Sequence, residues 1–538
     1  MPFSLTEEHY RAANRIRRTI LHYDARTVAT ECGGLKAPEG MSLLEAYSQR
    51  LWEYVDRVIG QLDSIHWDAC FSDQVAFCHS SSLPKDNAPV FQQLWEEGVD
   101  LYQEYIAGCR KRGLECVLSH RISGPDVGNV DTLKLTHPEY YLKDWTLLSN
   151  FAVPAMRQHK LGMLRDIMQR YDFDGYEIDF CRHTPFLEPE RQWELREHVT
   201  AFLRELRKIT LEAEANWGHP ILLSARVPEC AEGCRKDGLD LAIWAEEQLV
   251  DTLTIGSRGF EVDIESIRKA TKSAIKLFPC FDAHHQTDAY ADPPAEVLRA
   301  VFANWWAQGA DGIVMFNLYA CSWETYRKTA AQSFREHAHA LEQILPVAGD
   351  EALLAFLDKT YVVERRGGYP WQNGYANTNG DRQLPRVLPN NHATVDISLT
   401  VWDPVAHRAS RIETLELSLV LYGLLPDDGV DIALNGVPIQ GAMDRRWKDP
   451  QLRPLEKELV SGYHTEHLPS PEALSPADGA IDNTALLARV VCQIEPGQVV
   501  RGRNIVRIAL RRGARYPNLA VAELEKIELA VRYRPSLD

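Results

Sequence analysis

Eight apolar, strand-like runs alternate with amphipathic helical segments from Arg18 to about Leu345, and beyond about Tyr361 the hydrophobic period switches to two with no helices between. Together these patterns predict an α/β chain, a (β/α)8 TIM barrel followed by a C-terminal all-β sandwich of jelly-roll-like kind. The length of 538 residues agrees, because a single hydrophobic core stops growing at roughly 250 to 300. The expected division is a barrel over 1–345, a linker and the start of the second domain over 346–392, and the sandwich over 393–538.

The strand candidates are 19–24, 63–68, 115–121, 175–180, 220–227, 252–257, 275–282 and 312–319. Segments such as LLEAYSQRLWEYVDRVIGQ and ERQWELREHVTAFLRELRKITLEAEA lie between them and place apolar residues three and four apart, as a helix covering a sheet requires. A doubly wound open sheet is the rival, but it uses fewer strands, and no Gly-rich phosphate turn follows the first one. In the C-terminal third, HATVDISLTVW, RIETLELSLVLYG, VDIALNGVPI, LARVVCQIEP, NIVRIALRRG and LEKIELAVRYR read as strands, with Asn435-Gly436 as a hairpin turn.

Composition narrows the function classes. Apolar residues at 45% and charged residues at 25% are ordinary for a globular protein. A formal charge of -17 argues against nucleic acid, which needs clustered Lys and Arg to displace counterions. The charged N-terminus lacks an apolar leader core, and nowhere do eighteen apolar residues follow one another, so no membrane partner is expected. A cytoplasmic location is expected, or a periplasmic or secreted one if a leader has been removed. Eleven cysteines in no framework spacing suit a reducing compartment. Cys230 and Cys234 make a single C-x3-C pair, so a structural zinc is not expected, nor is any cofactor; a homo-oligomer stays open.

Barrel enzymes work at the C-terminal ends of their strands. Those ends carry His22 and Asp24, then His66 and Asp68, then Ser119, His120 and Arg121, then Glu177 and Asp179. Strand five offers Arg226 followed by Glu229, strand six Ser257 and Arg258, strand seven Asp282, His284 and His285, and strand eight Asn317 and Tyr319. Alternation along strand four sends Tyr176, Ile178 and Phe180 to the helices and Glu177 and Asp179 inward. Glu177, the deeper acid, would need a cation such as Arg121 or Arg226.

Aromatic residues accompany the acids: Tyr23, Trp67, Phe71, Tyr319 and Trp323 fall at or past strand ends, with Trp371 and Tyr375 further on. Trp67 is expected to face the helices, whereas Tyr319 and Trp323 suit the C–H faces of a sugar. A mouth mixing rings with carboxylates, amides and guanidiniums points to a carbohydrate substrate. Hydrolysis of a glycosidic bond needs one carboxyl that holds a proton and one that stays ionised. Asp179 fits the ionised role beside Arg121 or Arg226, and Glu229 and Asp282 are candidates for the proton donor. The expected substrate-binding set is Asp24, His66, Asp68, His120, Arg121, Glu177, Arg226, Asn317, Tyr319 and Trp323. An amidohydrolase metal site would want H-x-H on strand one and histidines on five and six, and those strands have His22 alone and none.

The stretch from Cys116 through Phe186, with VLSHRISGPD, HPEYYL and YDFDGYEIDFCRHTPFL, and then ILLSARVPEC with GLDLAIWAEEQLVDTLTIG, resembles the bacterial glycosyl-hydrolase-like proteins related to family 10. The likeness covers about the first 345 residues and implies a carbohydrate-active barrel in which Asp179 is a leading catalytic candidate, with Arg182, which joins the expected substrate-binding set, and His183 close by. The N-E motif of authentic family 10 xylanases is missing at the end of strand four, so no xylanase mechanism carries over. The expected activity is that of a glycoside hydrolase. An eliminating enzyme on uronate glycans, with arginines holding the carboxylate, and a non-catalytic glycan-binding protein are the alternatives.

Overall fold

The computed structural model describes residues 2–24, 35–71, 74–75, 88–123, 132–144, 148–182, 184–256, 259–282, 289–290, 293–316, 342–365, 383–449, 451–452, 487–513 and 521–535. Eight strands run parallel in chain order: β1 (Thr19–Asp24), β2 (Ser64–Phe71), β3 (Glu115–Arg121), β4 (Gly175–Asp179), β5 (Leu222–Val227), β6 (Thr252–Ile255), β7 (Lys276–Asp282) and β8 (Ile313–Phe316). β1 pairs with both β2 and β8, which closes the barrel. The expected fold class is therefore the observed one, and β1 and β3 agree with the sequence expectation residue for residue.

Alternation along each strand sorts the side chains. Leu21, Tyr23, Ile65, Trp67, Leu118, Tyr176, Ile178 and Phe180 join the core shared with the helices, where Trp67 stacks on Tyr105 at 4.4 Å. On the other face, Ile20, Phe278, Cys280, Val314 and Phe316 form a small apolar cluster inside the barrel, contributed by β1, β7 and β8 alone. The inner faces of β2 to β6 are polar instead. Gly175 is needed where β4 enters: a Cβ there would stand 2.9 Å from the Leu222 carbonyl oxygen.

Helix ends follow local chemistry. α1 (Glu7–Ala13) is capped by Thr6, α2 (Leu43–Val58) by a Ser42/Glu45 capping box, and α3 (Leu101–Arg112) by Asp100 before it stops at Gly113 with φ 68°. α4 (Pro154–Arg170) and α5 (Glu197–Trp217) cover β4 and β5, and α6 (Ile264–Ala270) and α7 (Ala295–Ala307) follow β6 and β7. α1 is tied to the strand ends opposite the mouth, where His9 meets Asp251, the residue before β6.

The second part is antiparallel: β9 (Lys359–Val362), β10 (Arg386–Leu388), β11 (Thr394–Val401), β12 (Ile412–Tyr422), β13 (Gly429–Leu434), β14 (Val437–Ile439), β15 (Gly441–Asp444), β16 (Leu487–Gln493), β17 (Gly502–Arg511) and β18 (Ala522–Tyr533). One sheet has the order β9-β18-β12-β16-β15 with β10 also on β18, and the other β11-β17-β13-β14. All six predicted segments are strands. Asn435 and Gly436, at φ 51° and 82°, make the turn between β13 and β14. β9, β10 and β15 escaped the sequence because they are three or four residues long, too short to show a period. Between the two parts, Asn304 of α7 donates to the Thr400 carbonyl and accepts from the Trp402 N–H, both at 3.2 Å, and the Tyr290 hydroxyl donates to Glu528 at 2.7 Å.

Candidate active site

Two tiers of polar side chains fill the barrel beneath its C-terminal mouth. The deeper tier is built around Glu177 of β4. Its carboxylate accepts from His22 Nε2 at 2.9 Å, Ser119 Oγ at 2.9 Å, His66 Nδ1 at 3.1 Å, Thr254 Oγ1 at 2.5 Å and, more weakly, Ser224 Oγ at 3.4 Å, so five other strands converge on one acid. A carboxylate that only accepts requires the His22 proton on Nε2 and the His66 proton on Nδ1. Burial by itself would raise the Glu177 pKa, but the two histidines outweigh it and hold the carboxyl well below the usual range. Burial pushes His22 down to about 4 despite Glu177, so His22 is neutral at neutral pH.

This corrects the expectation that Glu177 needs a guanidinium. Imidazole and hydroxyl donors from neighbouring strands satisfy it, which frees both arginines for the upper tier. There Arg121, Asp179 and Arg226 lie side by side in register on β3, β4 and β5. Asp179 Oδ1 accepts the backbone N–H of Cys181 at 2.8 Å and of Arg182 at 2.9 Å, while Oδ2 accepts Arg226 Nη1 at 3.2 Å. Arg226 also reaches Asp282 of β7 at 3.9 Å, donates to the Gly256 carbonyl at 3.1 Å, and lies over the Phe316 ring, whose centroid is also 4.2 Å from that of His22.

Arg121 plays the matching part on the other side, bonded to Asp24 at 2.8 Å and paired with Asp68. Although the Asp68–Arg121 approach is close, its angles make no hydrogen bond to either Asp68 oxygen. Asp68 is wholly buried, as are Glu177 and Asp179, at 0% exposure. Burial pushes the Asp68 carboxyl up to about 8; Arg121 and Arg182 oppose this, while the like charges of Asp24 and Asp179 add to it. Burial and the acid neighbours prevail over the two guanidinium charges, which favours a protonated Asp68 at neutral pH.

Of the expected site residues, Asp24, His66, Asp68, Arg121, Glu177, Asp179, Arg226 and Asp282 are thus brought together. Arg182 contributes its backbone N–H to Asp179. His120 is a correction: it stands on the face of β3 shared with Cys116 and Leu118, which pack against the helices, because it is one residue out of phase with Ser119 and Arg121. Tyr23 turns to the same layer as Trp67 for the same reason. Glu229 is buried at the end of β5 and lines a cavity between barrel and sandwich. His183, Ser257, Arg258, His284, His285, Asn317, Tyr319, Trp323, Trp371 and Tyr375 lie outside the described residues, as does the Phe71 side chain. What sequence reasoning missed was the burial of Asp68 and the hub at Glu177. Only the in-phase pairs His22/Asp24 and His66/Asp68 hinted at either.

Among the described residues no group of three or more His, Cys, Asp or Glu side chains is arranged to hold a metal, and no helix is long and apolar enough to cross a membrane. Cys109, Cys116, Cys181, Cys230, Cys234, Cys280 and Cys492 are free thiols.

No protein-family model matches the chain, and a search of curated proteins finds no match. Solved structures that align with it include the alpha-L-fucosidase isoenzyme 2 from Paenibacillus thiaminolyticus, 13% identical over 61% of this chain with a TM-score of 0.39; the alignment spans about half of that protein, 49%. The PgaB (BpsB) glycoside hydrolase domain from Bordetella bronchiseptica is 10% identical, covering 62% of this chain and 99% of its own at a TM-score of 0.38. A family GH18 chitinase from Chromobacterium violaceum is 9% identical over 98% of this chain and 95% of its own, at a TM-score of 0.38. These alignments do not single out family 10.

Proposed function

We propose that the chain is a glycoside hydrolase working at the C-terminal mouth of its barrel, with Asp179 and Asp68 as the reacting carboxyl groups. The observation that carries this is their contrast in one site. Asp179 has both oxygens occupied by donors, two N–H groups and Arg226, whereas among the described residues neither oxygen of the wholly buried Asp68 accepts a hydrogen bond, and burial raises its carboxyl to about 8. In the proposed step the Asp68 proton passes to the glycosidic oxygen as its bond to the anomeric carbon breaks. Asp179 faces the positive charge that grows on that carbon, either directly or through a water it orients.

The donor role thereby moves from Glu229 and Asp282 to Asp68. Asp282 shares the Arg226 guanidinium with Asp179, and Glu229 sits at the edge of the interdomain cavity. The segment D-G-x-x-x-D-F-x-R, which carries the resemblance to family-10-related proteins, supplies Asp179 itself. A panel of aryl glycosides tests the proposal. Asp179→Asn is expected to cost roughly 10²- to 10⁴-fold in kcat while the folded protein remains, and the kcat/KM profile should fall on a basic limb near pH 8 that Asp68→Asn removes. Turnover by the wild type that survives Asp179→Asn unchanged sinks the assignment.

A further inference from the structure

A cavity of about 560 Å³ opens between the barrel and the sandwich, within the size range of small-molecule and saccharide sites. Its barrel wall begins at Glu229, three residues past the Arg226 that holds Asp179. Glu229 sits against the end of β6, where a Cβ on Gly256 would come within 3.0 Å of its side chain. The cavity thus starts at the rim of the mouth between β5 and β6. From there it runs past Phe260 and the side of α7 to strands β11 and β17, which contribute Ser398, Thr400, Trp402 and Arg503.

The walls are held rigidly. The Glu261 and Glu364 side chains each accept the other's backbone N–H, at 3.2 and 3.1 Å, across the junction, and Asn304 bridges to β11 by two bonds. Indole and phenyl rings next to hydroxyls, amides and carboxylates match the C–H faces and hydroxyls of a sugar. Charge narrows the class further. Among the described residues, Glu229, Glu261, Asp263, Glu265 and Glu364 line the cavity with one guanidinium, Arg503, an acidic balance that disfavours a polyanionic chain.

We propose that this cavity is a remote subsite for a glycan chain free of acid groups, in which the sandwich grips sugar units beyond the bond cut at the mouth. The proposal rests on the glycosidase reading above. It makes the sandwich part of the specificity apparatus, with Trp402 and Arg503 as binding residues.

Chain-length dependence tests it on the full protein. Trp402→Ala and Arg503→Ala should each lower kcat/KM on a neutral tetra- or pentasaccharide by about tenfold, the loss of one good contact, and leave an aryl monoglycoside unchanged. That unchanged rate also shows that the variant is folded. Equal losses on both substrates, or none on the long one, overturn the subsite. Equilibrium binding of the same oligosaccharide to the Asp179→Asn protein decides the matter without turnover: Trp402→Ala should weaken it, and unweakened or absent binding overturns the proposal. An oligouronate bound as tightly as the neutral chain would overturn the charge selection. A wild type that binds the oligosaccharide through Trp402 yet hydrolyses nothing would instead sink the catalytic reading and leave the subsite standing.

Discussion

Glu177 and Asp179 stand two residues apart on one face of one strand, yet loss of their charges is expected to have unequal consequences. Glu177 accepts from five side chains on five other strands, and an amide in its place would turn an N–H₂ group toward donors that need an acceptor. Breaking a buried charged network of this kind costs roughly 3 to 5 kcal/mol. Glu177→Gln should therefore lower the denaturation midpoint sharply, whereas Asp179→Asn, which keeps the oxygen that accepts two backbone N–H groups and loses only the bond from Arg226, should lower it less. Urea unfolding of the two variants side by side checks this, and equal destabilisation would show that Asp179 belongs to the same structural network. Sequence alternation was enough to turn both acids inward. It could not tell which of them was saturated, because the donors come from positions 22, 66, 119, 224 and 254.

At the scale of the element, a buried imidazole ties α1 to the barrel, beside the exposed bond from Gln248 to the Tyr10 hydroxyl. His9 Nδ1 meets Glu214 at 2.6 Å and Nε2 meets Asp251 at 3.0 Å, while Arg207 pairs with the same Asp251 at 2.8 Å. Burial would lower the His9 pKa, and the nearby Arg207 charge adds to that, but the bonds and charges of Asp251 and Glu214 outweigh both and raise it. A raised folded-state pKa means that the folded chain binds the proton more tightly than the unfolded chain. The contribution is complete below the unfolded value of about 6.5 and is lost as pH climbs through the higher folded value. His9→Gln should consequently destabilise the protein more at pH 5.5 than at pH 9. A difference in midpoint that does not change with pH would mean that the imidazole is held neutral. The sequence showed His9 only as one polar residue in a short N-terminal segment, since its partners lie more than 200 positions away.

For the whole molecule, the question is how two cores communicate. Barrel and sandwich each centre on a hydrophobic cluster of their own, but Val362, Val420 and Leu487 of the sandwich join the barrel's and Ala300 of α7 joins the sandwich's, with Asn304 making two of the bonds across the junction. Asn304→Ala strips the Thr400 carbonyl and the Trp402 N–H of partners at a part-buried position, at a cost of about 1 to 3 kcal/mol. Calorimetry should show a lower melting temperature and broader melting, with an aryl monoglycoside still turned over normally if the mouth belongs to the barrel alone. Loss of that activity together with the interface would show that the sandwich shapes the catalytic rim as well.

The sequence by itself determined the architecture: eight strands at barrel spacing, a change of period in the C-terminal part, and the inward phase of Glu177 and Asp179. These are local properties, readable because a strand's side chains alternate and a helix repeats every 3.6 residues. The tertiary structure alone decided which charges meet. Arg121 joins Asp24 and Asp68, Arg226 joins Asp179 and Asp282, and Glu177 gathers two histidines, because barrel closure brings residues from separate strands into one layer. Burial raises the Asp68 carboxyl while histidine donors hold the equally buried Glu177 down, and both effects belong to that closed layer and to no segment in it.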